Sequence, residues 1–197
     1  MKRHSIILIL FLCSLNLFAQ EKEFKYDYTQ GYNFIKKAEQ SLKKGKLEKA
    51  EEYLANAKAS NYGFCGNAWA SAYSSINMVE VQVLNARKKY DKALALLDST
   101  NGCSFGADCS KRDSLKVETL FLKFGKEKVK AAFRKFNAVN NSGDADFEPD
   151  YWAYIEDLNY TFHFEIYRIY LNGKRVEIVG NNFYDVVKDR TFYKLIE

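Results

Sequence analysis

The run Gly45-Lys46-Leu47-Glu48-Lys49-Ala50, with Leu54 and Ala57 beyond it, has the form of a turn that opens an amphipathic helix. Upstream, Tyr32, Ile35, Ala38 and Leu42 recur at three- and four-residue steps, the period that lines one face of a helix. The short turn Lys44-Gly45-Lys46 between the two runs predicts an αα-hairpin over residues 28–59. The pattern then returns. Trp69, Ala72, Ile76, Val79, Val83 and Ala86 make a long first helix, and Tyr90-Asp91-Lys92-Ala93, followed by Leu97, makes a shorter second one. A third pair runs through Leu115, Leu120, Leu122 and Phe124, breaks near Gly125, and resumes at Val129, Ala132, Phe133 and Phe136.

The second halves of these pairs resemble the second half of a tetratricopeptide repeat. There a glycine permits the turn, a large residue packs after it, and a small residue such as Ala50 lets two helices approach. Lys88 stands where the second copy would have its glycine, and Gly125-Lys126-Glu127 is a weaker third copy without a clear matching alanine. From Ala50 to Ala93 the spacing is 43 residues, longer than the repeat of about 34 usual in that family, which predicts an enlarged connector or longer helices. The resemblance covers residues 28–137. It implies a groove lined by the first helix of each hairpin, and places Tyr32, Glu39, Lys43, Gln82 and Asn85 there as partner-binding residues.

Beyond residue 137 the composition shifts. Residues 138–150 read as an acidic linker, and Pro149 is positioned to open a short helix through Leu158. Residues 160–171 are dense in aromatic and β-branched side chains, and Asn172-Gly173 precedes a second such run, Lys174 to Val179. Asn-Gly between two runs of this kind predicts a β-hairpin. Its register pairs Leu171 with Lys174, Ile169 with Val176, Arg168 with Glu177 and Tyr167 with Ile178, with a bulge near Glu165. A competing reading continues a helix from Tyr151 through Ile169. Phe183 to Ile196 suits a short helix and a further strand. The fold class expected is therefore mainly α: stacked αα-hairpins over residues 20–137, a linker over 138–150, and a small α+β element with a β-hairpin over 151–197.

The chain has 197 residues, 47% hydrophobic and 28% charged, with one proline. That composition excludes collagen-like, low-complexity and disordered classes. Residues 1–19 have a signal-peptide layout: basic Lys2 and Arg3, an apolar run from Ile6, and small Ala19 before Gln20. Export to the periplasm or cell envelope of a bacterium, cleavage after Ala19 and no membrane span afterwards are the expectations. Cleavage would lower the net charge from +5 by the two charges of Lys2 and Arg3, and would leave Cys65, Cys103 and Cys109. In an exported protein these are disulfide candidates. Cys65 precedes the second hairpin, and Cys103 and Cys109 precede the third, so a bridge from Cys65 to either would tie neighbouring hairpins; Cys103 with Cys109 would close a small local loop.

Motifs for chemistry are few. The mature chain would keep one histidine, His163, which excludes a metal site built on several histidines and makes His163 the one residue on which a hydrolase could turn. Phosphate-loop, nucleophile-elbow and zinc-protease signatures are missing from the sequence. Asp144, Asp146, Glu148 and Asp150 alternate like the start of a calcium loop, but Pro149 and Ile155 stand where such a loop needs glycine and glutamate. Residues 111–135 carry nine Lys/Arg against three Asp/Glu, and residues 144–157 carry six acidic side chains and no basic one; a solvated helix face partly neutralised by the acidic segment accounts for both. The function expected is a non-enzymatic interaction or scaffold module for a peptide or protein partner, with no cofactor and no nucleic acid. The alternative is an inhibitor or immunity-type protein acting through its C-terminal hairpin.

Overall fold

The structure is a computed structural model that describes residues 24–100, 109–135, 139–140, 150–165, 170–171, 174–175 and 190–197, with side chains described at 24–100, 109–135, 154–164 and 190–197. The chain is mainly α with a small C-terminal β element. Three αα-hairpins follow one another: α1 (Tyr28–Lys43) with α2 (Leu47–Lys58), α3 (Gly66–Ala86) with α4 (Tyr90–Ser99), and α5 (Cys109–Phe124) with α6 (Lys126–Phe133). The first helices pack in series, α1 on α3 and α3 on α5, while α2 packs on α3 and α4 on α5.

The hairpin turns show why the sequence folds this way. After α1, Lys46 N–H donates to Ser41 O (2.9 Å) and Gly45 N–H to Leu42 O (2.8 Å). After α3, Lys89 N–H donates to Leu84 O (2.8 Å) and Lys88 N–H to Asn85 O (2.9 Å). These paired bonds form a Schellman motif, which needs a left-handed residue just past the helix. Gly45 (φ 69°) and Lys88 (φ 57°) fill that position, so lysine does stand in the glycine's place. Five residues on, Ala50 and Ala93 are fully buried, and nine residues on Leu54 and Leu97 are buried too. The third turn is tighter. Gly125 (φ 89°) directly joins α5 to α6, and Val129 and Phe133 occupy the matching core positions one residue early. That one-residue shortening puts Val129, not an alanine, at the position matching Ala50 and Ala93.

The segment after the helices departs from expectation. Asp150–Ile155 is not a helix opened by Pro149 but a strand, β2, antiparallel both to β1 (Val139–Asn140) and to β3 (Tyr160–Glu165). Its run Tyr151-Trp152-Ala153-Tyr154-Ile155 is rich in aromatic and β-branched residues, which suit a pleated surface better than a helix turn. A 3₁₀ turn at Glu156–Leu158 and left-handed Asn159 (φ 47°) join β2 to β3. The long helix through Ile169 is thereby excluded. β4 (Tyr170–Leu171) and β5 (Lys174–Arg175) pair as expected, Leu171 with Lys174, but in a separate sheet from β3. The further pairs from Ile169–Val176 to Tyr167–Ile178 lie outside the described residues, as does the linker over 141–149. α7 (Thr191–Ile196) closes the chain.

Among the described residues, an apolar cap closes the C-terminal end of the helical stack. Phe162 and Phe164 alternate inward along β3, and with Ile155, Leu158, Phe192 and Ile196 they pack on Val117, Leu120, Val129, Ala132 and Phe133. α5 is thus covered on two sides, by hairpin two and by the sheet with α7.

Of the three disulfide candidates, Cys65 drops out. Cys65 is an exposed free thiol. The connector that carries it is drawn back on the N-terminal segment, with Lys25 N–H donating to Ala59 O and Asn61 N–H to Tyr26 O, and Cys65 faces solvent. Cys109 is disulfide-bonded, and its partner lies outside the described residues, as does Cys103. Among the described residues no helix is long and apolar enough to cross a membrane.

Candidate functional site

α1 begins with a capping box, in which Asp27 accepts from Gln30 N–H (2.8 Å) and Asp27 N–H donates to the Gln30 side chain (3.1 Å). The cap fixes the first turns of α1, where Tyr28 and Tyr32 project from one side four residues apart. Gly31 lies between them against the connector. A Cβ there would stand 2.8 Å from Ser60 Cβ and from the Tyr62 ring, so only glycine allows this approach. Tyr62 is buried beneath, donating its hydroxyl to Ala57 O (2.9 Å). Burial, reinforced by Tyr32, pushes its pKa up to about 12.

From Tyr62 a chain of rings spreads over the surface. Tyr32 meets Tyr62 edge-on at 5.4 Å, and Tyr62 meets Trp69 edge-on at 5.3 Å. Trp69 lies nearly parallel to Tyr73 at 5.6 Å and tilted to Phe24 at 5.3 Å. The Trp69 indole N–H donates to Gly63 O (2.6 Å), which places Phe64 beside the cluster. Tyr28, Tyr32, Phe64 and Tyr73 stand 62%, 40%, 110% and 38% exposed. The ground between them is uncharged: no Asp, Glu, Lys, Arg or His occurs at residues 28–35 or 59–79, in a chain that is 28% charged. Asparagine, serine and glycine fill the gaps.

The five residues placed in the groove do not converge. Tyr32 belongs to the aromatic face. Glu39 and Lys43 continue its stripe along α1 into charged territory, where Glu39 reaches Lys111 of α5 at 4.0 Å. Gln82 donates to Met78 O of its own helix, and Asn85 donates to Thr119 Oγ1 (2.8 Å). Tyr28, Phe64, Trp69 and Tyr73 are not marked by any motif: Tyr28, Trp69 and Tyr73 sit at helical steps, where aromatic residues read as core, and Phe64 sits in a connector. The charge-free runs 28–35 and 59–79 are the signal that marks them.

A second polar constellation surrounds α5. Lys116, 1% exposed, holds Asp98 Oδ1 at 2.8 Å and donates to the His163 carbonyl oxygen (2.8 Å). Tyr160 donates to Asp98 (2.9 Å), and burial first, Asp98 second, raises the Tyr160 pKa far above the ordinary range. Arg112 donates to Asp113 (3.0 Å) and to Thr100 O (3.2 Å). The basic stretch 111–135 is therefore not one solvated face, since Arg112 and Lys116 are interior; its far end does meet the acidic segment, at Lys135–Asp157 (3.0 Å). His163 is half-buried in β3, offset by one residue from the inward Phe162 and Phe164, and enters this network through its backbone carbonyl. Among the described residues no three His, Cys, Asp or Glu side chains are grouped to hold a metal ion.

No protein-family model, curated protein or solved structure matches the chain.

Proposed function

We propose that this chain is an exported, non-enzymatic interaction module, a tetratricopeptide-like stack that binds a peptide or protein partner across the aromatic face of α1 and α3. The exposed surface of Tyr28, Tyr32, Phe64 and Tyr73 around the half-buried Trp69, drawn from charge-free runs of the chain, carries the reading. Protein-binding patches are depleted in charge at their centre and enriched in tyrosine and tryptophan. Rigid rings interleaved with Ser, Gly and Asn supply contact area and adaptable hydrogen bonds at low entropic cost. The like-built turns at Gly45 and Lys88, and the serial packing of first helices, support the repeat-like assignment. The layout of residues 1–19 and the disulfide at Cys109 support a bacterial envelope location.

The test is capture from envelope extract by the full mature chain, run beside a Tyr28→Ala/Tyr73→Ala variant shown by circular dichroism to be folded. The expected outcome is a partner retained by the native chain and lost by the variant. Identical capture by both proteins would move the site elsewhere and sink this reading.

A further inference from the structure

We infer that the segment held by this face is uncharged and proline-rich, docked as a polyproline II helix; the inference rests on the interaction reading above and specifies its partner. Charge is the first ground. With no ionisable group at residues 28–35 or 59–79 apart from tyrosine and cysteine, a charged partner segment laid over the centre of the face, inside the bordering Lys25, Asp27 and Lys36, would shed hydration with no counter-charge directly beneath it. Relief is the second. Trp69 is flanked by Phe24, Tyr62 and Tyr73 at 5.3–5.6 Å, two of these neighbours tilted or edge-on and one nearly parallel. Rings inclined to one another in this way present an uneven surface that suits proline rings better than it suits a sugar, which stacks on an open flat ring. Hydrogen bonding is the third. A polyproline II backbone makes no internal hydrogen bonds, and its prolines lack N–H, so it presents surplus carbonyl acceptors. The face answers with donors: among the described residues, no hydrogen bond engages the Tyr28 or Tyr73 hydroxyl. Aromatic-lined grooves take such segments at low ordering cost, because the ligand is already extended.

The experiment is calorimetry on the full mature chain with three neutral probes: an end-capped oligoproline of about ten residues, a proline-free Gly/Ser/Leu peptide of the same length, and a linear glucan oligosaccharide. Oligoproline should bind saturably. Tyr73→Ala should weaken it by about tenfold, as truncation of a contact anchor does, while Leu122→Ala, an exposed side chain on α5, should leave it unchanged. Raising NaCl from about 50 to about 500 mM should alter the affinity less than about twofold, since no ion pair is screened. Equal or tighter binding of the proline-free peptide, still lost in Tyr73→Ala, would overturn the inference and leave the interaction reading standing. Binding of the glucan alone would overturn both. Oligoproline binding that is strongly salt-dependent, indifferent to Tyr73→Ala, or absent would overturn the inference.

Discussion

α3 and α5 occupy equivalent places in successive hairpins and handle their side chains in opposite ways. α3 carries no charge over Gly66–Val79 and leaves Tyr73 and part of Trp69 in solvent. α5 is studded with charge and draws Arg112, Asp113 and Lys116 inside. Both reverse the usual sorting of apolar inward and charged outward. The difference lies in what covers each helix. Hairpin two and the β2–β3 sheet close over α5, so its ionic groups had to be paired to be tolerated. Nothing among the described residues covers the outward side of Tyr28, Tyr32 and Tyr73, so aromatic surface persists there.

The contrast can be broken by substitution. Lys116→Met removes the buried ammonium that bonds Asp98, itself partly in solvent, and leaves the His163 carbonyl oxygen without its donor, a loss of about 1–3 kcal/mol. Tyr73→Ala should stay within roughly 1 kcal/mol, as at other surface sites. Urea unfolding measures both, and a Tyr73→Ala loss that exceeds the Lys116→Met loss would reverse the assignment of inside and outside.

Gly31→Ala probes the floor of the aromatic face. Alanine should gain about 1 kcal/mol in helix propensity, yet its Cβ at 2.8 Å from Ser60 and Tyr62 should make it a net loss of about 1–3 kcal/mol, the range for overpacking. A Gly31→Ala variant as stable as the native chain would show that α1 can lift off its connector freely.

Alkaline titration sharpens the comparison from both sides, because Tyr62 lies under the face and Tyr160 beside the α5 network. Both have raised pKa values in the folded chain. An unfolded tyrosine ionises near pH 10, so below that pH the two contribute fully to stability. As pH climbs from about 10 towards the Tyr62 value of about 12, the unfolded chain releases protons that the folded one keeps, and the melting temperature should fall. Tyr62→Phe should flatten part of that slope; an unchanged slope in Tyr62→Phe would clear Tyr62 of the effect.

The smallest effect belongs to the two like-built turns. Lys88 takes a left-handed conformation that costs an L-residue about 1–2 kcal/mol, so Lys88→Gly should stabilise the chain by about 0.5–1 kcal/mol, and Gly45→Ala should destabilise it by about 1 kcal/mol. Chemical denaturation distinguishes the signs, and equal signs would mean that the turns are not equivalent.

The helices and their turns were legible because local chemistry sets them. Three- and four-residue apolar steps and a Lys-Gly-Lys turn leave little else possible for residues 28–59. The hairpin at Asn172-Gly173 was legible for the same reason over the pairs described. β2 was not, because Pro149 opens a strand as readily as a helix and the partner strand β3 lies across a turn with no glycine. Lys116 was illegible in principle: a lysine in a basic helix reads as solvated, and only the distant Asp98 and the His163 carbonyl oxygen make its burial tolerable. At the candidate site Tyr32 was picked out, but its neighbours Trp69 and Tyr73 share the helical spacing of core residues. The run without charge at 59–79 distinguishes the two cases, and it is a property of what is missing from the sequence rather than of any motif in it.

The two-sided cover on α5 bears on how the molecule breathes. Backbone amides in a terminal element usually exchange with solvent through local fraying, while those in a central element wait for global unfolding. α5 carries core residues shared by hairpin two and by the cap, and its Lys116 grips β3 while Thr119 receives Asn85 of α3. Its amides should be the slowest in the chain to take up deuterium, and the C-terminal sheet cannot peel away without opening the interior of the helical stack to water.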